Sequence, residues 1–120
     1  MRPYQQLDAW KASHSLVLAI YRATKTWPVE ERYGLTSQIR KAGFSVPANI
    51  VEGRAKLGPR ESRRYLDISW GSLAEVEYTL HLAHDLGYLS ATTYDELKGL
   101  CQTAAKPLFG LLRSMGSAPP

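Results

Sequence analysis

Residues 35–65, LTSQIRKAGFSVPANIVEGRAKLGPRESRRY, decide the architecture of this 120-residue chain. Small and apolar side chains recur in this segment every three or four positions, which is the period of one helix face. The positions that share this face are Leu35, Ile39, Ala42, Val46, Asn49 and Gly53. Pro47 interrupts the pattern, because proline lacks an N–H and crowds the carbonyl of Gly43. The sequence therefore predicts a kinked helix from Leu35 to about Gly53.

Three further helices are predicted on either side of this segment. The first covers residues 9–26, with Asp8 as its N-cap. The third covers residues 60–86, and the fourth covers residues 91–115 with Ser90 as its N-cap. No segment alternates between apolar and polar residues as a strand would. Four helices joined by short turns predict an all-α, antiparallel up-and-down four-helix bundle.

The length and composition of the chain limit its organisation. At 13.4 kDa the chain is expected to form one domain over residues 1–120, with frayed ends at residues 1–7 and 116–120. A single cysteine, Cys101, excludes an intramolecular disulfide and suits a reducing cytoplasm. No apolar run is longer than residues 16–20, so neither a signal peptide nor a membrane contact is predicted.

The third helix carries more apolar surface than its own subunit is expected to cover. One stripe contains Leu66, Ser69, Leu73, Val76, Leu80 and Ala83. A second contains Tyr65, Ile68, Ser72, Glu75, Thr79, Leu82 and Leu86, and an outer row contains Trp70, Ala74, Tyr78 and His81. Because exposed apolar surface of this extent favours association, the pattern predicts a homo-oligomer.

The charge of the chain is concentrated between the second and third helices. Residues 54–64 have a net charge of +4, which equals the formal charge of the whole chain. The basic side chains are Arg54, Lys56, Arg60, Arg63 and Arg64. A solvated helix junction would have the same composition, but the density of arginine favours contact with the backbone of RNA or DNA.

Polar residues on the second and third helices form another candidate set. Its members are Arg40, Ser45, Asn49, Glu52 and Glu75. They are either a functional polar site or a hydrogen-bond network around the carbonyl that Pro47 frees. The network is favoured, because buried polar groups require partners.

No catalytic or metal-binding pattern is evident. Glu77, His81, His84 and Asp85 have helical spacing, but the paired Glu-x-x-His motifs of di-iron bundles are missing. Cys101 lies in the apolar seam of the fourth helix and is interpreted as a core residue. The sequence thus predicts no enzyme, no metal site and no cofactor.

Several motifs resemble a bacterial family of four-helix bundle proteins first associated with intervening sequences in large-subunit ribosomal RNA genes. These motifs are LDAW at 7–10, ERYGLTSQIR at 31–40, SVPANIVEG at 45–53, GSLAE at 71–75 and DLGYL at 85–89. The resemblance implies a ring-shaped assembly, commonly a pentamer. Relatives in this family include the accessory variability determinant of diversity-generating retroelements, a basic ring that binds nucleic acid and its reverse transcriptase. The chain departs from the family pattern at residues 91–93 and at Pro107.

Together the charge and the resemblance predict a non-enzymatic homo-oligomer that binds nucleic acid or acts as a scaffold. The alternative is a protein-interaction adaptor that presents Trp70 and Tyr78 to a partner such as a reverse transcriptase. A metal-dependent enzyme ranks third.

Overall fold

The computed structural model describes residues 3–115, which form four α-helices and no strand. The helices are α1 (Asp8–Ala23), α2 (Leu35–Ala55), α3 (Pro59–Asp85) and α4 (Ala91–Ser114). Short 3-10 turns cover Tyr4–Gln6, Thr24–Thr26 and Val29–Glu31. The predicted all-α class and the predicted number of long helices are confirmed.

The four helices enclose one hydrophobic core. Each helix packs against its neighbours in sequence, and α1 also packs against α4. The core contains the periodic apolar positions, including Leu16, Ile39, Leu73, Leu80 and Leu108. The first stripe predicted for α3 is buried at all of its positions, which confirms that the 3-4 spacing marks the inward face. None of the helices described is long and apolar enough to cross a membrane.

The first helix differs from its predicted bounds at both ends. Asp8 is the first residue of α1, and Leu7 occupies the N-cap position without a side-chain cap, so the predicted cap is wrong. At the other end α1 stops at Ala23 and a 3-10 turn follows. The hydroxyl of Thr24 donates to the carbonyl of Ile20 at 2.8 Å, and Pro28 requires an extended backbone before it. These local effects shorten the helix.

The N-terminal segment is packed from Tyr4 onward, although it was predicted to be frayed. Leu7 is buried, and the ring of Tyr4 meets the edge of Trp10 with 5.1 Å between centroids. Residues 1–2 and 116–120, which complete the predicted frayed ends, lie outside the described residues.

The remaining boundaries follow proline and glycine. Helix α2 continues without a break through Pro47 and past Gly53, so the predicted connector 54–59 shrinks to residues 56–58. Gly87 has a φ of 82°, as suits a glycine after a helix end. The hydroxyl of Ser90 accepts a hydrogen bond from the Thr93 amide at 3.1 Å, which confirms the predicted cap of α4.

Glu31 connects the two turns at one end of the helices. Its carboxylate accepts hydrogen bonds from the amide of Leu35 at 3.0 Å and from the hydroxyl of Tyr88 at 2.8 Å. The Leu35 amide, followed by the Tyr88 hydroxyl, lowers the pKa of Glu31, and the same hydrogen bond raises the pKa of Tyr88. The α1–α2 connection is thereby fixed to the α3–α4 connection.

Candidate nucleic-acid interface

The junction between α2 and α3 depends on three residues that shape the backbone. Gly58 occupies the N-cap position of α3, and Pro59 is the first residue of the helix, where its missing N–H costs nothing. One turn before the end of α2, Gly53 lies close to α3. A Cβ atom at this position would be 3.1 Å from the carbonyl oxygen of Ser62. The basic segment is therefore held in a tight connection at one end of the molecule.

Arg60 and Arg64 are the two most available cations of this junction. Both are exposed, and they lie one turn apart on α3. Within residues 3–115, neither guanidinium has an ion pair or hydrogen bond. Positive charge near a helix N-terminus opposes the helix dipole and slightly destabilises the helix. The pair is thus positioned for an external anion rather than for the stability of α3.

The other three basic side chains have partners inside the chain. Lys56 lies 3.8 Å from Glu52 and 4.8 Å from the centre of the Tyr65 ring. Arg63 donates to the carbonyl of Leu112 at 2.9 Å, near the end of α4. Arg54 is half-buried and also has an intramolecular partner. The five predicted contact residues therefore divide into two available arginines and three that stabilise the junction.

Two of the predicted polar residues form a compact hydrogen-bond cluster between α2 and α3. The Asn49 amide donates to both the carbonyl and the hydroxyl of Ser45 at 2.8 Å. The Ser45 hydroxyl lies 2.7 Å from that of Ser72. Nearby, the buried hydroxyl of Ser69 donates to the carbonyl of Val46 at 2.7 Å. Sequence reasoning did not assign Ser69 and Ser72 to this set, although small residues at mid-helix signalled a close helix contact.

The remaining polar residues point elsewhere. Arg40 donates to the hydroxyl of Thr24 at 2.9 Å and lies over the ring of Tyr21, 4.7 Å from its centre. Arg40 therefore joins α2 to the end of α1. Glu75 accepts from Gln38 at 2.6 Å, and Glu52 pairs with Lys56. The structure thus divides the predicted network into four separate contacts.

The titratable groups do not form a catalytic arrangement in the part of the chain that the structure describes. No group of three or more His, Cys, Asp or Glu side chains there is placed to hold a metal ion. His81 and His84 lie 3.2 Å and 3.7 Å from the carboxylate of Asp85. Cys101 is buried, as predicted, and burial raises its pKa to about 12. Its thiol is therefore protonated near neutral pH and unreactive.

A groove between α1 and the first half of α2 was missed by sequence reasoning. It has a volume of about 470 Å³ and is lined by aromatic and basic side chains. These are Tyr21, Arg32, Tyr33, Arg40, Lys41 and Phe44. The sequence signal was the alternation of basic and aromatic residues between positions 32 and 44, which two helices bring together.

Comparisons with known proteins cover nearly the whole chain. The family model described as 23S rRNA-intervening sequence protein matches residues 5–110. The fold is similar to that of a protein of unknown function from the S23 ribosomal protein family of Bacteroides thetaiotaomicron, with a TM-score of 0.78. The two share 20% sequence identity, and the match covers 88% of this chain and 98% of that chain. At this identity the likeness supports the fold alone. No curated protein matches the chain.

Proposed function

Since the chain belongs to the 23S rRNA-intervening sequence protein family, we propose that it is a non-enzymatic homo-oligomer that binds the backbone of RNA or DNA, or acts as a scaffold on it. The contact surface is the α2–α3 junction. The observation that carries this proposal is the pair Arg60 and Arg64, exposed one turn apart and without an intramolecular partner within residues 3–115. We place this activity in the cytoplasm.

The chemistry of the junction favours phosphate as the ligand. A guanidinium offers several N–H donors in one plane and binds phosphate oxygens through two hydrogen bonds at once. Residues outside 54–64 have no net formal charge, so the positive field of the chain is centred on this junction. Contacts of this kind attach a protein to the backbone and carry no direct sequence information.

The order of contacts between α2 and α3 supports an antiparallel up-and-down bundle. Gln38 near the start of α2 meets Glu75 late in α3. Gly53 near the end of α2 meets Ser62 in the first turns of α3. Contacts therefore advance along one helix as they retreat along the other, as the short connection between them requires.

Two apolar surfaces on different pairs of helices support the assembly of a ring. Trp70 and Phe109 lie together on α3 and α4, with 5.7 Å between their ring centroids, and both are exposed. A groove of about 450 Å³ between α1 and α2 includes Trp10, Val17 and Pro47. A ring requires two different surfaces on each subunit that bind each other. The family resemblance suggests five copies, and each copy would repeat the arginine pair.

Repetition of the arginine pair around a ring would strengthen binding without any new contact. Once one subunit holds a nucleic acid, the next contact becomes intramolecular and its effective concentration rises. Weak individual phosphate contacts would then give a stable complex.

A second candidate function is a protein-interaction adaptor that does not bind nucleic acid. The exposed aromatic side chains Trp70, Tyr78 and Phe109 favour it, because aromatic residues are enriched in protein interfaces. Its partner would be a protein such as a reverse transcriptase, if the chain acts in a retroelement. Retention of one defined protein after nuclease treatment would support this function over the first.

The test is a titration of labelled duplex DNA and RNA at several salt concentrations. The double variant Arg60→Gln/Arg64→Gln should bind more weakly than the wild type. The slope of log affinity against log salt should fall by about 0.9 for each lost phosphate contact on duplex DNA. Arg63 is retained in the variant, because its contact with Leu112 stabilises the junction.

A matched control is Lys98→Gln/Lys106→Gln, which removes the same formal charge from exposed positions on α4. This control should keep most of the affinity and most of the salt slope. If the two double variants lose affinity equally, the effect is one of net charge and the junction is not the binding surface. Identical binding by wild type and the arginine variant would also reject the proposal.

A further inference from the structure

The groove at the start of α2 concentrates exposed aromatic surface. Tyr33 is 89% exposed and Phe44 is 62% exposed, although both are large side chains that proteins normally cover. Tyr21 completes the aromatic lining, and the Arg40 guanidinium lies over its ring. Because Arg40 also donates to Thr24, this ring is held in a fixed position. The groove thus offers both rigid and accessible aromatic faces.

The charges around the groove are all positive. Arg32, Arg40 and Lys41 line it, and no acidic side chain does. The other two grooves differ, because Glu52 lines the apolar groove between α1 and α2 and Glu77 lines the groove between α3 and α4. Arg32 and Lys41 are exposed and have no ion pair or hydrogen bond among the described residues. Charge complementarity therefore selects an anion for this groove, and the aromatic faces select a flat ring system.

We propose that this groove binds an unpaired nucleotide of a single-stranded nucleic acid, with its base stacked on Tyr33 and its phosphates beside Arg32 and Lys41. The proposal rests on the proposed function in that the partner is a nucleic acid, and it adds that the partner is single-stranded. Bases in a duplex stack on each other, whereas a single strand presents base faces to aromatic side chains. The hydroxyls of Thr36 and Ser37 also line the groove and offer hydrogen bonds to the sugar or the base edge.

The groove is separate from the junction, so variants can test the two sites independently. Lys41 and Arg54 are separated by about 20 Å along the axis of α2, from the rise per residue of an α-helix. Backbone contact at the junction accepts either a duplex or a single strand. Stacking in the groove requires a single strand, and this difference provides the test.

The experiment compares wild type and Tyr33→Ala in binding to a labelled single strand and to the matching duplex. Substitution of Tyr33 is expected to leave the fold intact because its side chain is almost fully exposed. Single-strand affinity should fall about fivefold or more, as for the loss of one stacked base, while duplex affinity is unchanged. Tyr33→Phe should retain the affinity, because it keeps the aromatic face.

A fluorescent base analogue, 2-aminopurine, placed in the same strand reports stacking directly. Its emission should change when wild type or Tyr33→Phe binds, and this change should be lost with Tyr33→Ala at saturating protein. Val29→Ala is the control, because it truncates an exposed apolar side chain that does not line the groove. This control should bind the single strand as the wild type does.

The possible outcomes separate this proposal from the proposed function. Equal single-strand affinity for Tyr33→Ala and wild type would overturn the stacking site and leave the junction intact. Equal losses on single strand and duplex would also overturn it, since the groove would then contact only the backbone. A change in assembled mass on light scattering would assign the groove to contacts between copies. A loss with Tyr33→Ala but none with Arg60→Gln/Arg64→Gln would keep the groove and reject the junction, and no single-strand binding by wild type at low salt would reject the groove.

Discussion

The two sides of α3 are packed by side chains of very different size. On the α2 side the contacts are made by short residues, with Ser69 bonded to Val46 and Gly53 against the backbone of Ser62. On the α4 side they are made by rings, such as Trp70 against Phe109 at 5.7 Å. Small residues allow two helix backbones to approach closely, and hydroxyl-to-carbonyl bonds then fix one helix relative to the other. Rings hold the helices further apart.

This difference separates stability from surface. The α2–α3 side has short hydrogen bonds and little room, so it is sensitive to any added volume. The α3–α4 side leaves a groove of about 350 Å³ lined by Tyr78, His81 and Lys98. One side of the same helix therefore fixes the fold, while the other is accessible to other molecules.

The largest effect is expected from added volume on the α2 side. Ser69 is 0% exposed and donates to the Val46 carbonyl at 2.7 Å. Ser69→Leu should lower the free energy of unfolding by about 2 to 4 kcal/mol, through overpacking and the lost hydrogen bond. Chemical denaturation at one protein concentration measures this, since assembly would make stability depend on concentration.

The adjacent position provides the control for the comparison between the two sides. Trp70→Leu alters the α4 side of the same turn, where the side chain is partly exposed. It should cost clearly less than Ser69→Leu. If Trp70→Leu is the more damaging variant, the assignment of stability to the α2 side is wrong.

A smaller effect is expected from the polar cluster. Asn49→Ala removes two hydrogen bonds to Ser45 at 2.8 Å and should lower the free energy of unfolding by about 1 to 2 kcal/mol. Nucleic-acid affinity should stay the same at temperatures where the variant is folded. An unchanged melting temperature together with a selective loss of binding would instead identify Asn49 as a functional residue.

The smallest effect concerns two glycines. A Cβ at Gly53 would approach the Ser62 carbonyl at 3.1 Å, whereas a Cβ at Gly71 would meet nothing within 4 Å. Alanine is favoured over glycine in a helix by about 0.5 to 1 kcal/mol, so Gly71→Ala should stabilise the protein by that amount. Gly53→Ala should lose this gain to crowding. Equal melting temperatures for the two variants would show that the junction can relax.

The core could be predicted from sequence because burial follows a period that the sequence displays. Leu66, Leu73 and Leu80 recur every seven residues, and all three are buried. The end of α1 was misplaced, because it depends on a single hydroxyl at Thr24 and on the restriction that Pro28 places on its neighbour. Such local competition is not visible in an average over several turns.

The candidate site was predicted less completely, because its contacts join distant parts of the chain. Arg63 was grouped with Arg60 and Arg64 by charge, yet it donates to the carbonyl of Leu112, 49 positions away. The groove beside Tyr33 likewise needs Tyr21 from another helix. Charge density identified the correct segment for testing but could not separate available side chains from those with intramolecular partners.

Motion at the end of the molecule that carries Glu31 should involve two connections at once. The amide of Leu35 opens α2, and amides at this position usually exchange readily with solvent because they lack a partner within the helix. Here its release requires Glu31 to move, and Glu31 also holds the hydroxyl of Tyr88. Hydrogen exchange at Leu35 therefore reports on a turn that lies 57 residues from Glu31 in sequence.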